Sequence, residues 1–150
     1  MAISIRPAVL ADALSIHELH VATATVVFNQ FFGGKGLAEW LVTRNAEVCA
    51  REIEQWSFVV AENQGVMIGF GALNVAKARI EDVYVASDKW KQGCGSEIVR
   101  SLEALALEAG LQKITLQATG PAILFYRKCG YSTETDEPNP SWALMEKKLS

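Results

Sequence analysis

One stretch of the chain decides its fold: Ile80-Glu81-Asp82-Val83-Tyr84-Val85-Ala86-Ser87-Asp88-Lys89-Trp90-Lys91-Gln92-Gly93-Cys94-Gly95-Ser96. Its first part has the density of β-branched and aromatic residues that is typical of a strand. Its last part begins an amphipathic helix, because apolar residues recur at helical spacing from 98 to 106. The Gly93-x-Gly95 loop between them leaves backbone N–H groups at the positive end of a helix dipole, where a phosphate can bind. A Cβ at either glycine would obstruct that approach and resist the dihedral angles of the turn.

The glycine loop alone does not identify a ligand, since two glycines before a helix also form ordinary tight turns. A dinucleotide-binding loop would need a third glycine at position 98, where the chain has Ile98. A P-loop would need Gly-Lys-Ser/Thr, and the chain has Gly95-Ser96-Glu97 instead. A mononucleotide-binding α/β protein stays open as a hypothesis, with the missing lysine against it.

A second informative segment follows the helix. It begins with an alternating strand, Ile114-Thr115-Leu116-Gln117-Ala118. It continues with Thr119-Gly120-Pro121-Ala122-Ile123-Leu124-Phe125-Tyr126-Arg127-Lys128-Cys129-Gly130-Tyr131. Pro121 suits the first turn of a helix, and Gly130 suits its C-terminal cap.

Together, the two segments resemble the GNAT superfamily of acyl-CoA N-acyltransferases. That family carries Gln/Arg-x-x-Gly-x-Gly/Ala at its pyrophosphate loop and Ala-x-x-Phe-Tyr-x-Lys-x-Gly-Phe/Tyr at its later helix. The second motif is nearly complete in the run from Ala122 to Tyr131. In the first motif Gly93 and Gly95 match, whereas Trp90 stands where Gln or Arg is usual. The resemblance covers nearly the whole chain.

Length and composition set the broad class. A chain of 150 residues predicts a single domain over 1–150, and 50% hydrophobic with 21% charged residues is ordinary for a soluble globular protein. The apolar runs are too short to span a bilayer, and no secretory signal opens the chain. Three cysteines without paired spacing argue against a disulfide framework, so we expect a cytoplasmic protein. A net charge of −3 gives no reason to expect a nucleic-acid partner.

Patterning predicts the other elements. They are a strand at 3–7, a helix from 12 to about 20, a loop at 28–36, a helix at 37–55, hairpin strands at 58–62 and 66–73, and a last strand at 145–149. The predicted fold class is α/β (α+β), with a mixed, mostly antiparallel central sheet and helices on both faces. The resemblance implies the same order of elements.

Tyr126 is the candidate general acid. Amide formation from a thioester must expel a thiolate, and a phenol holds its proton at neutral pH and can pass it to that thiolate. In the resembling family the Tyr of Phe-Tyr often has this position. Without the resemblance, an aromatic ring that fills the core is the simpler interpretation.

Glu81 is the candidate general base, because an amine must lose a proton before it attacks. It lies on the strand that runs beside the acetyl group in the resembling family. Asp82 adjoins it, and successive strand side chains face opposite ways, so only one of the two should point into a cleft. Pairing of Glu81 with Arg79 as a solvated surface residue is the alternative.

The resemblance also implies a binding site for acetyl-CoA, which leaves as CoA. The backbone of the strand edge would bind the pantetheine amides, and one of its N–H groups would polarise the thioester carbonyl. Thr119 is the polar residue before the later helix, where a role as N-cap is equally favoured. The implied contacts are Val83, Tyr84, Val85, Lys91, Gln92, Gly93, Cys94, Gly95, Ser96, Thr119 and Phe125.

No metal site is predicted. His17 and His20 share a helix face, but no cysteine or carboxylate joins them at ligand spacing, so we expect exposed surface histidines. Cys94 is expected to pack as a small apolar residue.

The leading functional hypothesis is an N-acetyltransferase that uses acetyl-CoA and a primary amine in a ternary complex. The alternative is a CoA-binding sensor or interaction module without turnover, which would need the glycine loop but not Tyr126. The acceptor, a small molecule or a protein amine, has no motif; the apolar segment from Val21 to Phe32 favours a partly apolar acceptor site. The resemblance allows a homodimer, and no nucleic acid or membrane partner is expected.

Overall fold

The computed structural model describes residues 2–149, which form a six-stranded sheet in the order β1-β2-β3-β4-β5-β6. The strands are Ser4–Pro7 (β1), Ser57–Asn63 (β2), Val66–Asn74 (β3), Arg79–Val85 (β4), Lys113–Thr119 (β5) and Trp142–Lys148 (β6). The helices are Ala13–Phe32 (α1), Leu37–Leu41 (α2), Ala46–Gln55 (α3), Cys94–Glu108 (α4) and Ile123–Lys128 (α5). Short 3₁₀ turns occupy Leu10–Asp12, Ser87–Lys89 and Gly120–Ala122.

The sheet is mostly antiparallel, with β4 and β5 as its parallel pair. The β2–β3 hairpin turns at Gln64 and Gly65, whose φ angles of 53° and 78° match the left-handed conformations that two-residue hairpin loops need. The predicted fold class is therefore confirmed.

Helices cover both faces of the sheet, and each face has its own core. On one face α4 packs Ile98 and Leu102 against the strands, and both side chains are fully buried. On the other face α1 and α3 contribute Ile16 and Cys49, which pack with Phe70 of β3. No helix among residues 2–149 combines the length and the apolar character that crossing a membrane requires.

The first helix is longer than the sequence predicted. It runs to Phe32 rather than ending near His20, so the loop expected at 28–36 begins only at Gly33. Gly33 ends the helix in the left-handed conformation, with φ of 61°. The segment after His20 is rich in β-branched residues, which lower helix propensity, but burial of Thr23 and Ala24 outweighs that preference.

The helix predicted at 37–55 is two helices. The break lies between Leu41 and Ala46, and Asn45 caps α3 by accepting a 2.8 Å hydrogen bond from the N–H of Val48. A side chain that satisfies an otherwise unpaired N–H favours a new helix start over a continuous helix.

Candidate active site

A gap separates β4 from β5 beyond their first residues. The two strands pair only at Arg79 and Thr115 among residues 2–149. On its other edge β4 pairs with β3, and the N–H of Ala86 donates to the carbonyl of Ile68 at 2.8 Å. Because antiparallel backbone groups alternate between the two edges, the backbone N–H and C=O groups of residues 83 and 85 point into the gap.

A β-bulge lies in the middle of β4. Asp82 pairs with Ala72, but the next pair along β3 joins Leu73 to Ile80, so Glu81 is an extra residue. Ile80 and Val83 both pack in the α4-side core, which places the two residues between them on the opposite side of β4. The expectation that Glu81 and Asp82 face opposite ways is therefore wrong, because the bulge interrupts the alternation.

Glu81 is tied to its neighbours by three hydrogen bonds. Arg79 donates from Nε at 2.9 Å and from a terminal nitrogen at 2.8 Å, and the amide of Asn74 donates at 2.9 Å. The side chain is 14% exposed. The structure thus places Glu81 in the pair with Arg79 that the sequence offered as the alternative to a catalytic role.

Asp82 is in a different electrostatic environment. Burial is the largest cause of a pKa raised to about 7 for its carboxyl, to which the charges of Glu52 and Glu81 add and which the charge of Arg44 opposes. A group with a pKa near neutrality can accept a proton at pH 7 and still hold it in the next step.

Tyr126 lies in the same neighbourhood. It is 7% exposed, and its ring meets those of Phe125 and Tyr131 at centroid distances of 4.9 and 5.8 Å. Burial raises the pKa of its phenol above the usual range, and the charges of Tyr84 and Asp82 act in the same direction. No hydrogen bond engages its hydroxyl within the part of the chain that the structure describes. The phenol keeps its proton at neutral pH and has it free to donate.

The glycine loop joins the gap to the amino terminus of α4. Gly93 has φ of 90°, and a Cβ there would meet nothing within 4 Å. The first intrahelical hydrogen bond runs from the N–H of Glu97 to the carbonyl of Gly93, so the N–H groups of residues 94–96 have no intrahelical acceptor. These are the donors that the predicted anion site requires, and the site itself stays a prediction.

Gly95 is required for a reason that the sequence did not show. A Cβ there would come within 3.0 Å of the Phe125 ring, so the glycine permits close packing of α4 against α5. Phe125 thus packs against the loop at Gly95, whereas the space next to Gly93 is open.

The remaining predicted contacts surround this loop. Lys91 and Gln92 are exposed, and Lys91 has an unusual φ of 63°. Thr119 is exposed and precedes a 3₁₀ turn, but its side chain makes no cap hydrogen bond there. Cys94 is buried as predicted, and burial raises the pKa of its thiol to about 11.

Comparison with known proteins shows the family of the chain. The sequence profile of the "Acetyltransferase (GNAT) family" matches residues 37–131, which is more than half of the chain. The chain belongs to the GNAT family. Glucosamine 6-phosphate N-acetyltransferase of Candida albicans is 30% identical over 83 residues; the match covers 49% of this GNAT chain and only 56% of that enzyme.

Solved structures extend the likeness to both ends of the GNAT chain. PaiA N-acetyltransferase from Thermoplasma acidophilum, in complex with coenzyme A, has a TM-score of 0.86 at 19% identity and covers 99% of both chains. A GCN5-related N-acetyltransferase from Rhodopseudomonas palustris has a TM-score of 0.85 at 24% identity and the same coverage. YncA from Salmonella typhimurium, solved with acetyl-CoA, has a TM-score of 0.73 at 17% identity and covers 100% of this chain and 95% of its own. These likenesses show the fold.

Trp90 is the position at which this GNAT chain departs from the usual loop motif. Its indole N–H donates a 2.7 Å hydrogen bond to the carbonyl of Val85. The residue therefore fastens the start of the glycine loop to the edge of β4 and uses one of the two carbonyls that face the gap.

Sequence analysis did not predict that four residues lie near β4: His20, Thr23, Arg44 and Glu52. His20 was expected on the surface, but it is 5% exposed and its ring centroid lies 4.4 Å from that of Tyr84. Burial lowers the pKa of its imidazole to about 3, so the ring is neutral. The spacing of His20 and Thr23 at three residues was a readable signal of a shared helix face, whereas nothing local marked Arg44.

No group of three metal-binding side chains is present in residues 2–149.

Proposed function

We propose that this GNAT protein is an acetyl-CoA-dependent N-acetyltransferase that acts on a primary amine by direct attack in a ternary complex. The gap beside β4 carries the proposal, because its free strand edge leads straight to the amino terminus of α4. A strand edge binds a chain of amides, and a helix amino terminus binds phosphate. Two structural neighbours contain CoA or acetyl-CoA, which supports the same co-substrate here.

The residues present fit the parts of acetyl-CoA. The N–H groups of residues 94–96 would hold the pyrophosphate, with Lys91 beside them. The N–H groups of Val83 and Val85 would bind pantetheine amides or the thioester carbonyl. The co-substrate supplies an acetyl group that is already activated as a thioester.

The proton transfers fall to two side chains. As the amine nitrogen bonds to the acetyl carbon and the carbon–sulfur bond breaks, Tyr126 donates its proton to the sulfur. Asp82 accepts the proton that the attacking nitrogen loses. Tyr126 then regains a proton from solvent and Asp82 releases its proton to solvent, so that one proton moves net from nitrogen to sulfur. An acceptor that arrives as an ammonium ion loses one further proton to solvent before it attacks. We assign the role of base to Asp82 rather than Glu81, because Arg79 and Asn74 already donate three hydrogen bonds to Glu81.

Calorimetry with CoA tests the binding site through a matched pair of variants. Gly93 and Gly110 lie just before and after α4, both with φ near 90° and with open space where a Cβ would stand. Gly93→Ala and Gly110→Ala should therefore cost similar stability, about 1 kcal/mol. Only Gly93→Ala should weaken CoA binding, by tenfold or more, since its methyl group enters the phosphate site.

Two results would contradict the proposal. Equal CoA affinity in both variants would remove the glycine loop from the site. CoA binding without amine-dependent thiol release would favour the alternative, a non-catalytic CoA-binding module. A homodimeric state and a cytoplasmic location stay predictions.

A further inference from the structure

On the basis of the proposed acetyl transfer, we propose that the acceptor is a cationic primary amine on an apolar, preferably aromatic, carbon skeleton without an acidic group. The argument rests on the side of β4 that faces α1, α2 and α3, opposite the α4-side core. Rings, unpaired polar atoms and charges there each restrict what an acceptor can be.

We call the side of β4 that faces α1, α2 and α3 the acceptor side. Four rings lie there in mutual contact, and we call them the ring cluster: His20, Trp40, Phe70 and Tyr84. The centroid of His20 lies 4.9 Å from that of Trp40, 5.3 Å from that of Phe70 and 4.4 Å from that of Tyr84. Trp40 belongs to α2, a helix of five residues, so the outer wall of the cluster is a short element. His20 and Phe70 are 5% and 0% exposed, so the half-buried rings of Trp40 and Tyr84 are the ones that an acceptor can meet. They would bind an apolar body through dispersion and burial, and an ammonium through their ring faces.

Several buried polar atoms on this side of β4 lack a hydrogen-bond partner within residues 2–149. The buried side-chain atoms without a hydrogen bond in residues 2–149 are His17 Nδ1, His20 Nε2, Thr23 Oγ1 and Arg44 Nε. His17, His20 and Thr23 follow at intervals of three, so they share one face of α1. His20 and Thr23 are 5% and 3% exposed. Unpaired polar groups at this depth are costly, and their clustering on one side of β4 indicates a place for a ligand.

The charges on the acceptor side do not suit an anion. Arg44 donates to both carboxylate oxygens of Glu52, at 3.0 and 2.7 Å, so its charge is already neutralised. Asp82, whose carboxyl pKa is raised to about 7, then adds a negative charge to this side when it is ionised. From residue 13 to residue 43 the chain has a single lysine or arginine, Lys35, which is exposed. An ammonium group is attracted to this side, and a phosphate or carboxylate is repelled.

The inference separates this protein from its curated relative. The name of that relative specifies a sugar phosphate as the acceptor. A phosphate needs a free cation, whereas the arginine of this site is already paired with Glu52.

Steady-state thiol release with acetyl-CoA tests the acceptor class. The probes are 2-phenylethylamine, phenylalanine, which adds only a carboxylate, and glucosamine 6-phosphate. We expect kcat/KM for 2-phenylethylamine to exceed that for the other two by about a hundredfold or more, because like charges repel in a partly buried site. Equal or better turnover of phenylalanine or glucosamine 6-phosphate would overturn the inference while confirming acetyl transfer.

Glu52→Gln is the sharper test. It frees the charge of Arg44, so the ratio of kcat/KM for 2-phenylethylamine to that for phenylalanine should fall about tenfold or more. Glu54→Gln, an exposed residue of the same helix, is the matched control and should leave the ratio unchanged. A ratio compares two acceptors on one enzyme, so loss of folded protein or of CoA affinity does not alter it.

Two other outcomes would also count against the inference. An unchanged ratio in Glu52→Gln would show that the Arg44–Glu52 pair does not set acceptor charge, and the inference would fall. If CoA binds but none of the three probes releases thiol above the rate without acceptor, the inference falls. Acetyl transfer itself would fail only if a wider panel of primary amines also released no thiol.

Discussion

Tyr126 and Tyr131 are neighbouring buried phenols with different bonding. The hydroxyl of Tyr131 donates a 2.8 Å hydrogen bond to Glu103, whereas no such bond engages that of Tyr126 within residues 2–149. Tyr126→Phe should therefore leave stability nearly unchanged and lower kcat about a hundredfold or more, with little change in CoA affinity. Tyr131→Phe should instead cost about 1 kcal/mol of unfolding free energy and spare kcat.

Turnover, calorimetry and urea unfolding of both variants provide the measurement. The acid role would be refuted by full kcat in Tyr126→Phe. Equal losses of kcat in the two variants would point to a general effect of removing a buried hydroxyl, since both changes keep the ring and only Tyr126 is assigned the proton transfer.

Asp82 should impose a break near pH 7 on the profile of kcat/KM at limiting acceptor, because its carboxyl must be ionised to accept a proton. Asp82→Asn should abolish that break and leave only the rise due to the amine itself. Glu81→Gln should keep the break, because that carboxylate is bonded to Arg79 and Asn74. A break that survives in Asp82→Asn and disappears in Glu81→Gln would return the base to Glu81.

The pH dependence of folding stability tests the raised pKa of Asp82 independently of turnover. The pKa of Asp82 is raised from 3.8 to about 7 on folding, so the folded state binds more protons between those values. Wild-type stability should therefore decline as the pH rises from about 4 to about 7. The stability of Asp82→Asn relative to wild type should increase over the same range, as urea unfolding at both pH values would show.

At the scale of the element, sequence predicted what local patterns determine. The glycine loop, the helix after it and the Phe125-Tyr126 segment follow from glycine, proline and apolar spacing within a few residues. The break between α2 and α3 also had a local signal in Asn45, which precedes Ala46-Glu47-Val48 as a typical N-cap does. The apolar positions on both sides of it hid that signal.

Other features of the elements depend on distant partners. The bulge at Glu81 exists only in the pairing of β4 with β3, and no property of residues 80–85 alone reveals it. The full length of α1 depends on burial of Thr23 and Ala24 against the sheet side, which outweighs the low helix propensity of that segment. These two features place Asp82 and His20, so the surroundings of those residues could not be predicted, whereas the glycine loop and the helix after it could.

At the scale of the whole molecule, the position of α4 on the sheet links the glycine loop to the gap. Gly71 of β3 permits this contact, because a Cβ there would come within 2.5 Å of Ile98 Cγ2 and 3.0 Å of Leu102 Cδ1. The sequence placed this glycine in a strand, where it otherwise only weakens pairing. Close approach of helix and sheet is the physical reason for it.

Gly71→Ala should destabilise the protein by about 1–3 kcal/mol, because the added methyl group overpacks the core between sheet and α4. Ile98→Ala removes the atom nearest to that methyl group and should itself be destabilising, by about 2–5 kcal/mol, through the cavity it leaves. In the double variant the new methyl occupies part of that cavity, so its loss of stability should be smaller than the sum of the two single losses by at least about 0.5 kcal/mol. Urea unfolding of the four proteins measures this coupling. Strictly additive losses would show that α4 does not rest on Gly71, and the fixed distance between the glycine loop and the β4 edge would then need another support.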